Sequence, residues 1–70
     1  MEVQKILEKD GFTGKVIYDP TQFNLAASKR YTLIIEKDGK ELIHRSNMTG
    51  SGAAMWFYRW VDKKINGGKK

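Results

Sequence analysis

Apolar positions recur along this chain at different spacings from segment to segment. In "EVQKILEK", residues 2–9, Val3, Ile6 and Leu7 fall at i, i+3 and i+4, the spacing of one helix face. Gly11 follows where a helix commonly ends in the left-handed conformation, so a short helix is expected over 2–9. "TGKVIYD" is rich in β-branched and aromatic residues and predicts a strand over 13–18. In "RYTLIIEKDGKELIHRS" two strand-like runs flank Asp38-Gly39, a pair that supplies positive φ in a type I′ hairpin turn. A two-residue loop pairs Ile35 with Leu42, Leu33 with His44 and Tyr31 with Ser46. Tyr31, Leu33, Ile35 and Leu42 then share one face, and Arg30, Thr32, Ile34, Ile43 and Arg45 the other. A three-residue loop with a bulge shifts this register by one.

Between the first two strands, "DPTQFNLAAS" carries helix-start chemistry. Asp19 suits a cap, Pro20 the first helical position, and Gln22 the return arm of a capping box. Either a short helix packs Phe23 on Ala26 or Ala27, or the segment is an ordered loop. The last element follows "NMTGSG", with Thr49 or Ser51 as its cap, and runs to about Ile65 before Asn66-Gly67.

At about 100° per residue, this last helix separates its own aromatics. Phe57, Val61, Ala53, Ala54 and Ile65 form the core side, with Tyr58 at one margin. Trp60 sits at the opposite margin and Trp56 lies further round, beside Arg59 and Lys63. Three uses of that flank are open. Trp56 is covered by the N-terminal helix or the 19–30 segment; or the flank is a protein-contact strip, such as a homodimer seam; or it stacks bases and holds phosphates.

One echo changes the outline if it is structural: "ILEKDG" at 6–11 and "IIEKDG" at 34–39. Were the first copy also a hairpin, the order becomes four strands and a helix. That arrangement resembles the single-stranded-nucleic-acid-binding Whirly type. With a helix at 2–9 instead, the order of helix, three antiparallel strands and helix resembles the double-stranded-RNA-binding domain. That family grips phosphates with Lys residues at the start of its last helix, where this chain reads "GSGAAMW", so no site residue is carried over. Small DNA-binding domains with a three-stranded sheet and one packing helix resemble the C-terminal two-thirds. By that likeness the outer sheet face, with Lys15, Arg30, Thr32 and Arg45, would read DNA.

Charge ranks the partners. Thirteen Lys and Arg against eight acids give a net charge of +5, which favours polyanions, nucleic acid foremost. A cluster forms only at the end, with Lys63, Lys64, Lys69 and Lys70. Seventy residues allow one domain, which buries only about 60% of the surface exposed by its unfolded chain. With no Cys, disulfides and thiolate zinc sites are excluded, so aromatics must carry the core. No apolar run approaches the roughly 20 residues of a membrane span, and "MEVQKILEKDG" puts acids where a signal peptide needs apolar residues. A cytoplasmic protein is expected.

Candidate catalytic chemistry is thin. His44, the sole imidazole, stands in a strand without a partner at any recognised spacing. Glu36 and Glu41 face each other across the hairpin, but beside Lys37 and Lys40 they read as a solvated charge cluster. "TGSG" at 49–52 offers amides to a phosphate yet lacks the Gly-Lys-Ser/Thr ending of a Walker loop, so it reads as loop and cap.

The expectation is therefore an α+β domain over 1–70, with 67–70 a frayed tail. An antiparallel sheet of three, or four, strands carries the C-terminal helix on one face and the N-terminal helix at its edge. Its expected role is a non-catalytic nucleic-acid-binding or regulatory module using Lys15, Arg30, Arg45, Arg59, Lys63 and Lys64. The alternative is a protein-interaction or inhibitor module, homodimeric in one version, docking through Trp56, Arg59, Trp60 and Lys63. No metal, cofactor, membrane or small-molecule substrate is indicated.

Overall fold

A computed structural model describes residues 2–67. Four antiparallel strands lie side by side in chain order: β1 (Glu2–Lys9), β2 (Phe12–Tyr18), β3 (Tyr31–Lys37) and β4 (Lys40–Met48). One helix, α1 (Gly50–Asn66), crosses a single face of this sheet. Lys69 and Lys70, and all but the first residue of the expected tail, fall outside the described residues.

The two copies of "EKDG" prove to be one device used twice. Asp10 and Gly11 take φ of 52° and 85°, and Asp38 and Gly39 take 55° and 77°. Each pair closes a two-residue turn, bringing Lys9 opposite Phe12 and Lys37 opposite Lys40. Residues 2–9 are therefore a strand and not the expected helix. Their helix-like spacing comes from a register shift at Gln4: Val3 pairs with Ile17, but Lys5 pairs with Val16. The extra residue puts Val3 and Ile6 on one face and Leu7 on the other, an arrangement helical periodicity imitates.

A second bulge corrects the expected hairpin register. Glu36 pairs with Glu41, as the two-residue turn requires, but Ile35 then pairs with Ile43, stepping over Leu42. Leu33 consequently faces Arg45, and Ile34 faces His44. Ile43 and Arg45 move to the helix side, and Leu42 is left exposed. Tyr31 pairs with Met48 and not Ser46, beyond a further irregularity at which Asn47 takes φ 60°.

The 19–30 segment is an ordered loop with one 3-10 turn at Ala27–Lys29. Its base is closed where the Asp19 amide donates to the Arg30 carbonyl at 2.8 Å. The Asp19 carboxylate accepts from the Thr21 hydroxyl, the Thr21 amide and the Gln22 side chain, so Gln22 bonds the carboxylate and not the Asp19 amide of a capping box. These bonds hold the Asp19 carboxyl below the usual carboxylate range, the Thr21 hydroxyl first among them. Phe23 projects into solvent and does not pack on Ala26 or Ala27.

Phe57, Leu33, Ile35 and Val61 are fully buried and form the centre of the core, with Leu7, Phe12, Val16 and Ala53 around them. Each such side chain contributes about 1.5–3 kcal/mol by leaving water. Gly14 sets how closely helix and sheet approach, because a Cβ there would meet Phe57 Cδ1 at 2.7 Å. Thr49 caps α1 by accepting from the Gly52 amide at 2.9 Å. Along α1, Ala53, Phe57 and Val61 form the buried stripe, whereas Ile65 is exposed one turn beyond it. Among the described residues, no helix is long and apolar enough to cross a membrane.

Candidate functional site

Partners directly opposite across a ladder share a face of the sheet, so the register sorts the charges. On the helix side lie Lys9, Lys37 and Arg45, joined by Arg59, Lys63 and Lys64 of α1. The open side carries Glu8, Glu36 and Glu41 against Lys15 and His44. Lys15 is also ion-paired there, its ammonium 3.3 Å from the Glu36 carboxylate. Cations gather on the helix side and acids on the open face of the sheet.

That division breaks up the outer-face group expected from the sequence. Thr32 is buried. Arg30 stays in the 19–30 loop, where its Nε donates to the Leu25 carbonyl at 3.0 Å and its guanidinium lies over Phe23. Arg45 is on the other side of the sheet altogether. Of the six expected phosphate contacts, Arg45, Arg59, Lys63 and Lys64 come together, while Lys15 and Arg30 stand apart.

The four that meet do so around the two tryptophans. Trp56, Arg59, Trp60 and Lys63, with Asp62, line an open depression of about 530 Å³ on the surface of α1. The i, i+3, i+4, i+7 spacing of the first four places them on one strip. Trp56 and Trp60 are half-buried: packed against the core at their inner edges, they keep surface toward solvent. Trp56 is one of the partly buried residues packed on the core. Its neighbour is Arg45, whose guanidinium lies 5.1 Å from the indole centre. Lys64 stands 5.7 Å from the centre of Trp60.

The electrostatics of the strip favour an anion. Among the described residues, no carboxylate lies within 4 Å of Arg45, Arg59, Lys63 or Lys64. The acidic residue on the lining, Asp62, is engaged by Lys9 across the other flank of the helix. That bond raises the Lys9 ammonium above the ordinary lysine range. Every other charge named on the lining is positive and uncommitted to a carboxylate.

Elsewhere the expected chemistry resolves into structure. Glu36 and Glu41 do face each other, with Lys15 beside the first and His44 Nδ1 3.6 Å from the second. Within "TGSG" the Gly52 amide serves the helix cap by donating to the Thr49 hydroxyl, and the next amide, Ala53, donates to the Thr49 carbonyl. Lys37, read from the sequence as part of the charge cluster with Glu36 and Glu41, instead has its ammonium 4.4 Å from the ring centre of Phe12. No periodicity signals that contact, because it joins two hairpins. No family model, curated protein or solved structure matches the chain significantly.

Proposed function

We propose that the chain is a non-catalytic, cytoplasmic module that binds single-stranded nucleic acid along the Trp56–Trp60 flank of α1. One observation carries this reading: two half-exposed indoles line an open depression among four cations that no described carboxylate neutralises. An indole offers a stacking surface to an unpaired base, worth about 1–3 kcal/mol per base. Arginine and lysine on the same strip attract the phosphates and supply sequence-independent affinity. In a duplex the faces of the bases are already stacked, so this arrangement favours the single strand.

The test is fluorescence anisotropy of labelled oligothymidylate and a mixed-sequence RNA, titrated with protein between about 50 and 200 mM salt. With four phosphates neutralised, log affinity should fall against log salt with a slope of about −3. Absence of binding to either strand at low salt overturns the reading.

A second reading takes the same residues as a protein-docking strip, favoured by the coincidence of Trp and Arg in one concavity. It is selected if sedimentation finds a dimer that Trp56→Ala dissolves, and neither oligonucleotide binds.

A further inference from the structure

The aromatic–basic strip does not end with the helix. The Trp60 indole meets Phe12 edge-on, with ring centres 5.4 Å apart and planes at 85°. Phe12 is buried, yet the Lys37 ammonium rests 4.4 Å from its ring centre. Phe12 opens β2 just after the Asp10-Gly11 turn, and Lys37 closes β3 just before the Asp38-Gly39 turn. The first hairpin tip thus meets the C-terminal half of α1, and Lys37 of the second meets the first.

The Lys37 ammonium has a defined seat. A Cβ built on Gly11 would stand 3.7 Å from Lys37 Nζ, so the glycine backbone flanks the ammonium while Phe12 supports it. Asp10 and Asp38 occupy the adjoining turns, but among the described residues no carboxylate lies within 4 Å of Lys37. A lysine held in this way has less rotamer freedom to lose on capturing an anion than one free in solvent.

We infer that Lys37 is the far end of the strand-binding track: a phosphate-binding residue on the β3–β4 hairpin that continues the site past Trp60. The inference rests on the nucleic-acid reading of the Trp56–Trp60 flank. The track then runs from the Arg45 guanidinium, over Trp56 and Trp60, to the ammonium groups of Lys64 and Lys37. Its ends differ chemically. Arg45 offers a planar fork suited to two phosphate oxygens, and Lys37 a point charge. Phe12 takes no part in contact with the strand; it fixes Lys37 relative to Trp60.

The experiment compares salt slopes for oligothymidylate binding among the wild type, Lys37→Gln, Lys37→Arg, Arg59→Gln and Lys15→Gln. Losing one phosphate contact on a single strand reduces the slope by about 0.7. Lys37→Gln and Arg59→Gln should each show that reduction. Lys37→Arg should keep the wild-type slope, and so should Lys15→Gln, on the opposite face. Thermal unfolding of each variant confirms that the fold is intact. A Lys37→Gln slope equal to wild type, with Arg59→Gln reduced, overturns the extension and leaves the flank standing. A wild-type chain without salt-dependent binding overturns both.

Discussion

The guanidinium of Arg45, on the edge strand, lies 5.1 Å from the centre of the Trp56 indole on the helix. This contact joins β4 to α1. It also gives the two residues separable roles. Trp56→Ala should weaken oligothymidylate binding by the stacking of one base, about 5- to 150-fold, with the salt slope unchanged. Arg45→Gln should reduce the slope by about 0.7. Titrations at several salt concentrations check both, and equal slopes in wild type and Arg45→Gln would remove Arg45 from the site.

The charge around the indoles predicts an asymmetry in their quenching. Both are half-buried, with Arg45 and Lys64 beside them and no carboxylate within 4 Å of either cation among the described residues. Iodide, an anion, should therefore quench Trp emission more strongly than caesium at equal ionic strength. Saturating oligothymidylate should abolish most of that iodide quenching. Equal quenching by the two ions in the free protein would contradict the electrostatic description of the flank.

What could be read from the sequence depended on whether a pattern stayed local. The stripe through Ala53, Phe57 and Val61 was legible because one uninterrupted helix preserves its period. The turn at Asp38-Gly39 was legible from its dipeptide, and the same dipeptide at Asp10-Gly11 carried the same information. There it was outweighed by the spacing of Val3, Ile6 and Leu7, which a bulge at Gln4 makes look helical. The bulge at Leu42 likewise moved Arg45 to the helix side, so the cation beside Trp56 could not be inferred from strict alternation. The contact that takes Lys37 out of the charge cluster with Glu36 and Glu41 was not legible, because its partner, Phe12, lies 25 positions away by number and meets it only through the sheet.

The approach of α1 to the sheet predicts that Gly14 tolerates no side chain. An added Cβ would lie 2.7 Å from Phe57 Cδ1 and 3.0 Å from Cε1, and Phe57 is fully buried. Gly14→Ala should cost about 1–3 kcal/mol through overpacking. In the Phe57→Leu background the same substitution should cost less, because the smaller side chain vacates part of the contested volume. Denaturant unfolding of the four proteins in the cycle tests this. Additive losses would mean that Gly14 and Phe57 do not share the space.

The loop anchored at Asp19 should give the protein an acid-sensitive component. Three donors converge on this carboxylate, the Thr21 hydroxyl, the Thr21 amide and the Gln22 side chain, and they favour its ionised form. Its pKa is therefore lower in the folded chain than in the unfolded one, where a free Asp titrates near about 3.9. A group depressed in this way stabilises the fold in full above its unfolded pKa. That contribution fades as the pH drops through the folded value, because the folded and unfolded chains then carry the same proton. Asp19→Asn cannot titrate, so the stability gap between wild type and variant should be level above about pH 5 and narrow below about pH 4. Subtracting one variant from the other cancels the remaining carboxylates, which both proteins share. Urea unfolding across that range decides the matter: a gap that stays constant into acid would show that the three donors do not favour the charged form.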